Sequence, residues 1–227
     1  MDERAVRPSR AGRRWWALPA LALAGLAGCS SSSTAAANHV VVIGDSAAVL
    51  EQSTLAPLLN PRYQVTYLIR YYGRIGPIVA TASGHLSDGG TPGVVVVNLG
   101  TDDASRPRPG SDSAAPLQPL IDVVAHVPCV VLTTVSLGAD ERSRHSVALI
   151  VNDQIKRLAK ADPTRFKVVD WENFLVTLPP ASLSTYLQAD RIHPTPAGAR
   201  WLAQSDLSGI EACGTSAQPT VIGPLGR

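Results

Sequence analysis

The sequence predicts a three-layer α/β/α sandwich built on a five-stranded, mostly parallel sheet. Three observations lead there. Five short apolar runs rich in β-branched residues recur along the chain: Val40–Ile43, Val65–Ile69, Val94–Val97, Val130–Val135 and Phe166–Val169. Each is nearly continuous rather than alternating, as expected of strands buried on both faces. Helical patterns separate them, and strand–helix alternation covers both faces of a parallel sheet with helices.

The elements follow in order. A helix over Ala47–Leu59 starts directly after the first strand. Pro77–Ser83 is a short helix with proline in its first turn, where a missing N–H is tolerated. Leu117–His126 and Ser143–Leu158 come next. In the latter, Val147, Leu149, Ile150, Ile155 and Leu158 fall at mixed three- and four-residue spacings. The last helix is expected from about Pro196 to Ala203. Asp102–Ala115 and Trp171–Ala189, rich in Pro, Ser, Asp or Thr, read as long loops. Right-handed crossovers gather the loops after each strand along one sheet edge, where sites collect.

The ends of the chain read differently. Residues 1–28 have the form of an export signal. Arg4, Arg7, Arg10, Arg13 and Arg14 precede an apolar run from Trp15 to Gly28, too short to span a bilayer comfortably. The run closes on Leu26-Ala27-Gly28-Cys29, which resembles a bacterial lipobox. That resemblance implies cleavage before Cys29, diacylation of its thiol, and a membrane-anchored lipoprotein on the outer face of the cytoplasmic membrane or in the envelope. The alternative is an ordinary signal peptide with a chance cysteine. Residues 29–37 then form the lipidated cysteine and a Ser/Ala tether whose small side chains cannot build a core. Residues 38–213 form one domain, and 214–227 a C-terminal tail.

Charge and cysteine usage narrow the function. The chain has 20 basic and 18 acidic residues. Without the five leader arginines, Asp2 and Glu3, 15 basic and 16 acidic residues remain, a net −1. The basic excess belongs to the leader, so no nucleic-acid partner is expected. Cys129 and Cys213 remain as an even pair in an exported chain, open either to a disulfide or to a buried strand thiol at Cys129. His39, His85, His126 and His145 show no metal-ligand spacing. There is no phosphate loop or dinucleotide fingerprint, and no metal or organic cofactor is expected. The absence of a Gly-x-Ser-x-Gly elbow argues against the classical α/β-hydrolase family.

Two short motifs carry the chemistry. Val40–Ile43 leads into Gly44-Asp45-Ser46, which places a serine where a strand ends and a helix begins. Alone, that serine reads better as a helix cap, because Gly-Asp-Ser is a common turn tripeptide. The second motif is Asp190-Arg191-Ile192-His193-Pro194. Asp190 and His193 are three apart, a spacing that one helical turn would bring to a common face. Acid, imidazole and serine together are the parts of serine-based acyl transfer.

With both motifs in view, the chain resembles the SGNH hydrolases, also called the GDSL lipase/esterase family, over about residues 38–205. The resemblance implies a flavodoxin-like SGNH fold and serine ester hydrolysis or acyl transfer, without cofactor. It implies Ser46 as nucleophile, His193 as general base and Asp190 as the acid that orients it. For the oxyanion hole it implies the N–H of Ser46 and that of a glycine in Gly73-Arg74-Ile75-Gly76, with Gly76 preferred to Gly73. The third family block normally reads Gly-x-Asn-Asp, but here it is Gly100-Thr101-Asp102-Asp103. Asp102 thus stands where an asparagine donor is expected, and an ionised carboxylate only accepts. Either Asp102 is neutral in an apolar pocket, or Thr101 or Asn98 donates instead. Expected substrates are acylated envelope glycans, lipids or small esters. The other reading is an SGNH-fold lipoprotein with impaired catalysis, serving as a binding or assembly module.

Overall fold

The computed structural model describes residues 38–106, 115–136 and 142–214, with only the backbone for 142–145. The expected signal peptide, the lipidation site Cys29 and the tether over 29–37 lie outside the described residues, as does the tail beyond Gly214. Five strands form one sheet: β1 (His39–Gly44), β2 (Gln64–Ile69), β3 (Val94–Asn98), β4 (Cys129–Thr133) and β5 (Phe166–Val169). Their order is β2-β1-β3-β4-β5, and every pairing is parallel.

Strand alternation divides the core in two. Val41, Ile43, Val95 and Val97 face a layer formed by α2 (Ile75–Asp88), α3 (Thr101–Ser105), α4 (Gln118–Val123) and α5 (Arg142–Ala161). Val40, Val42, Val94 and Val96 face the layer formed by α1 (Ser46–Leu59), α6 (Trp171–Thr177), α7 (Leu183–Tyr186) and α8 (Pro196–Cys213). This is the expected α/β/α sandwich with a five-stranded parallel sheet.

Strand order sets the position of the site. The chain leaves β1 toward β2 on one side and returns to β3 on the other. That is a topological switch point, where a crevice opens beyond the strand ends. Gly44 pairs with Asn98 there. A Cβ on Gly44 would stand 2.3 Å from Ala48 Cβ and 2.7 Å from the Asn98 carbonyl oxygen. Only glycine lets β1 turn this sharply into α1.

The structure corrects several element boundaries. Thr101–Ser105, overlapping the start of the expected loop Asp102–Ala115, is the helix α3, entered through Gly100 at φ +122°. Most of the remainder of that loop, 107–114, lies outside the described residues. Trp171–Ala189 contains α6, a 3-10 turn (Pro180–Ser182) and α7. Asp170 caps α6 by accepting from Asn173 N–H, and Trp171 and Leu175 are buried one turn apart. Burial of this aromatic segment outweighs its turn-rich composition. Helix α2 is longer than Pro77–Ser83 because Ile75, Ile78, Val79 and Ala82 form a continuous buried stripe. Helix α4 stops at Val123 rather than His126.

Helix α8 has 18 residues, more than twice the expected length. Its buried face includes Ser205 and Asp206, polar positions that hide the helical stripe from a hydrophobicity reading. Cys213, at its end, is joined to Cys129 by a disulfide, with Cα atoms 5.8 Å apart. Of the two fates open to Cys129, the structure takes the disulfide.

Candidate active site

Ser46 is the first residue of α1, and Asp45 is its N-cap. Asp45 Oδ1 accepts from Ala47 N–H at 3.1 Å. Oδ2 reaches across the sheet edge to the loop after β3, accepting from Gly100 at 3.0 Å, Thr101 at 2.7 Å and Asp102 at 3.4 Å. One carboxyl group therefore fixes both the serine turn and the third-block loop. Burial pushes Asp45 up to about 7, with the Asp102 charge acting in the same direction and the N–H bonds of Ala47, Thr101 and Gly100 acting against it. Asp103 ties in the remaining loop, since its Oδ2 accepts from Ile75 N–H at the start of α2.

His193 and Asp190 do not lie on a helix, contrary to the expectation from their spacing. They sit in a closed loop between α7 and α8. A bridge pairs Leu187 with Pro194, and Gln188 N–H donates to the His193 carbonyl at 2.8 Å. Arg191 adopts φ +56° at the turn. Asp190 Oδ1 accepts from Ile192 and His193 N–H, an Asx-type turn that aligns acid and imidazole without helical geometry. Behind the loop, Phe174 stacks on Trp201 at 4.3 Å and meets Tyr186 edge-on at 4.9 Å.

The result is a continuous chain of contacts. Asp190 Oδ2 lies 2.7 Å from His193 Nδ1, and His193 Nε2 lies 2.8 Å from Ser46 Oγ. A carboxylate only accepts, so the Nδ1 proton points to Asp190 and Nε2 is free to take the hydroxyl proton. Burial raises the Asp190 carboxyl, but bonds from the His193 ring and from the Ile192 and His193 N–H groups outweigh it and hold the group below its usual range.

A cleft of about 440 Å³ opens over Ser46 and His193, walled by Tyr71, Tyr72, Asp102 and Arg106. The Ser46 N–H is one of the N-terminal donors of α1 left without an intrahelical partner. The two glycine candidates separate. Gly73 is buried directly behind Tyr72, while Gly76 is exposed on the second position of α2, and neither lines the cleft. Asp102 does line the cleft, with 5 % of its surface exposed. Its surroundings are not apolar, because the Arg106 guanidinium donates to its Oδ1. Nor do the alternative donors reach the cleft: Thr101 is absent from its walls, and the Asn98 amide donates to Glu51 at 3.2 Å. Among the described residues, no group of three or more His, Cys, Asp or Glu could hold a metal ion.

The family profile of the GDSL-like lipase/acylhydrolase family matches residues 12–201. The chain belongs to that family. Solved structures agree on the fold. The C-terminal catalytic domain of peptidoglycan O-acetyltransferase A from Streptococcus pneumoniae, 16 % identical, aligns over 78 % of this chain and 95 % of its own with a TM-score of 0.62. A lipase/acylhydrolase from Enterococcus faecalis, 18 % identical, aligns over 80 % and 99 % with a TM-score of 0.59. A variant of an acetyl xylan esterase from Geobacillus stearothermophilus, 18 % identical, covers 76 % and 94 % with a TM-score of 0.56. No curated protein matches significantly.

Within this member of the GDSL-like family, sequence reasoning missed Asp45, Tyr72 and Arg106. Asp45 was visible as the residue before the serine, but its reach to Gly100 and Thr101 depends on the pairing of β1 with β3. Arg106 lies four residues after Asp102, an ion-pair spacing that has meaning only once Thr101–Ser105 is known to be helical.

Proposed function

We propose that this protein is a serine ester hydrolase or acyltransferase, exported and anchored in the cell envelope through lipid on Cys29. The observation that carries the catalytic reading is the contact chain Asp190–His193–Ser46, in which a 2.7 Å link within the loop is continued by a 2.8 Å link from His193 to Ser46, a residue remote in sequence. Family membership supports it. The lipobox-like Leu26-Ala27-Gly28-Cys29 supports the anchoring.

The cycle follows from the geometry. His193 Nε2 takes the Ser46 hydroxyl proton as Oγ attacks the ester carbonyl carbon. The carbonyl oxygen becomes an oxyanion beside the Ser46 N–H. His193 returns the proton to the departing alkoxide oxygen as the C–O bond breaks, leaving an acyl-enzyme on Ser46. Water or an acceptor hydroxyl then gives its proton to His193 and attacks the acyl carbon. The bond from that carbon to Ser46 Oγ breaks, His193 returns the proton to Oγ, and a carboxylic acid or a new ester leaves the restored serine. Asp190 holds the ring and balances the imidazolium charge. Acylated envelope glycans, lipids and small acyl esters are the proposed substrates. Two structural neighbours are a peptidoglycan O-acetyltransferase domain and an acetyl xylan esterase.

A second reading, a binding or assembly module with lapsed turnover, is favoured by one observation: the Asp102 carboxyl group in the cleft, with Oδ2 buried and without a partner. Treatment of the chain lacking residues 1–28 with a fluorophosphonate probe separates the two. An active serine gains one phosphonyl group, mapped to Ser46 by peptide mass and lost in Ser46→Ala. A wild type that takes no label and hydrolyses no ester sinks the enzyme reading.

A further inference from the structure

The third-block carboxylate is not alone at the cleft. Asp102 stands in the first turn of α3, and Arg106 follows one turn later with Nη2 on Asp102 Oδ1. Two further contacts fix Arg106. Its guanidinium carbon lies 4.7 Å from the centre of the Tyr72 ring, a cation–π distance. Its backbone carbonyl accepts from Arg74 Nη2 at 2.5 Å. Among the described residues, nothing accepts from its Nε or Nη1. Half of the side chain is exposed, while Asp102 is almost fully enclosed. Arg106 lines the same cleft as Ser46 and His193.

The chemistry of position 102 makes this pair significant. A bare carboxylate there repels an oxyanion forming over Ser46. Arginine carries five N–H donors and stays charged, so one donor can hold Asp102 while others remain for a second oxygen. Given the serine mechanism proposed above, we infer that Arg106, held in place by Asp102, supplies the side-chain hydrogen bond to the developing oxyanion. Arg106 is then a catalytic residue and Asp102 its positioning residue. The pair replaces one neutral amide with a cationic donor on a longer arm. Charge-assisted donors are the stronger kind, and Asp102 confines this one, together with the Tyr72 ring.

The test is a double-mutant cycle on the chain lacking residues 1–28. Two rates are read: hydrolysis of the neutral ester p-nitrophenyl acetate, and phosphonylation of Ser46 by a fluorophosphonate, whose P=O oxygen takes the oxyanion position. Arg106→Ala should lower both by about 100-fold or more, with KM changed less than about threefold. Arg106→Lys should recover part of the loss, as should added guanidinium ion with Arg106→Ala. Asp102→Asn alone should lower both rates about tenfold by freeing the guanidinium. In the Arg106→Ala background the same change should raise them, because an amide donor then faces the oxyanion and the unpaired carboxylate is gone. That reversal of sign is a readout a merely structural pair would not give.

Several results overturn the inference. Rates within about twofold of wild type in Arg106→Ala would do so, as would an Asp102→Asn gain of equal size in both backgrounds. A KM rise confined to anionic esters would instead make Arg106 a substrate clamp. Loss of activity in Ser46→Ala with wild-type rates in Arg106→Ala defeats this inference alone. Wild-type rates in Ser46→Ala defeat the serine mechanism itself, and a wild type that neither turns over nor takes the label defeats both.

Discussion

Thr101 N–H lies 2.7 Å from Asp45 Oδ2 and joins the loop after β3 to the turn that carries Ser46. Gly100 and Asp102 converge on the same oxygen. Asp45→Ala would leave these buried donors unpaired, at a cost of about 3 kcal/mol or more. In a domain of this size that corresponds to a fall of about 6–12 °C in Tm. Asp45→Asn keeps an acceptor and should lose less. A melting curve of Asp45→Ala within a degree of wild type, roughly the scale of a neutral surface change, would contradict the bracing role.

The Ser46–His193 pair should behave as a unit. Ser46→Ala and His193→Ala should each remove most ester turnover, by about 10³-fold or more, and the double variant should lose no more than either single one. Asp190→Asn should cost less than His193→Ala, because the ring keeps its backbone-built loop. Steady-state kinetics checks this, and multiplicative losses in the double variant would show that the two residues do not act on one step.

Glu51 and Asp206 form a buried carboxyl pair between α1 and α8. Burial raises Glu51 well above its usual value, as do the charge of Asp206 and a hydrogen bond between the two groups. Burial likewise raises Asp206, to about 6, against bonds from Glu51 and Thr133. The folded state therefore holds protons that the unfolded chain releases above about pH 4. The stabilisation is full below that pH and is lost as pH rises through the folded values. Thermal stability should decline from pH 5 toward pH 9, and Glu51→Gln should flatten that decline and raise Tm at alkaline pH. A wild-type Tm that climbs over this interval, or a Glu51→Gln profile parallel to wild type, contradicts the pairing.

The Cys129–Cys213 bond closes a separation of 84 residues. Removing it by Cys213→Ser or by a thiol reductant should cost about 2–4 kcal/mol, read as a lower urea midpoint. Esterase activity in the folded state should survive, since the bond lies at the start of β4, the edge opposite Ser46.

Cys29 tests the envelope proposal. Cys29→Ala should move the protein from the membrane fraction to the soluble one, and mass spectrometry of the mature wild-type N-terminus should find acyl chains. One chain gives only marginal binding, so a stable anchor should show two or more. An unlipidated mature terminus defeats the anchor.

The sheet was legible because its strands are pure: Val94–Val97 and Val130–Leu132 announce buried parallel strands in any context. Ser46, Asp190 and His193 could be singled out because the two motifs occur together on one domain, although neither is distinctive alone. What was lost has a common physical cause. Helix α6 is held by Trp171 and Phe174 stacking on Trp201, contacts between segments that composition treats separately. The far half of α8 hides behind Ser205 and Asp206, polar residues buried against the sheet layer, where Asp206 accepts from Thr133 of β4. Asp190 and His193 meet through an Asx turn rather than a helix, and three-residue spacing does not distinguish these. Gly73 and Gly76 could not be told apart in the sequence because the start of α2 between them depends on the distant Ile75–Asp103 bond, and neither lines the cleft.

The loop closed by Leu187 and Pro194 carries more than the acid and base. Gln188 and Ile192, within the same short circuit, also line the cleft. Lengthening it to admit a bulkier acyl group would displace the imidazole from the serine. This wall of the cleft is locked to the reaction, and room for a new substrate has to be made elsewhere on its lining. Tyr71 and Tyr72, which line the cleft from outside that loop and are largely open to solvent, offer such room. An effort to change acyl selectivity should therefore begin with those two tyrosines and leave the histidine loop at its present length.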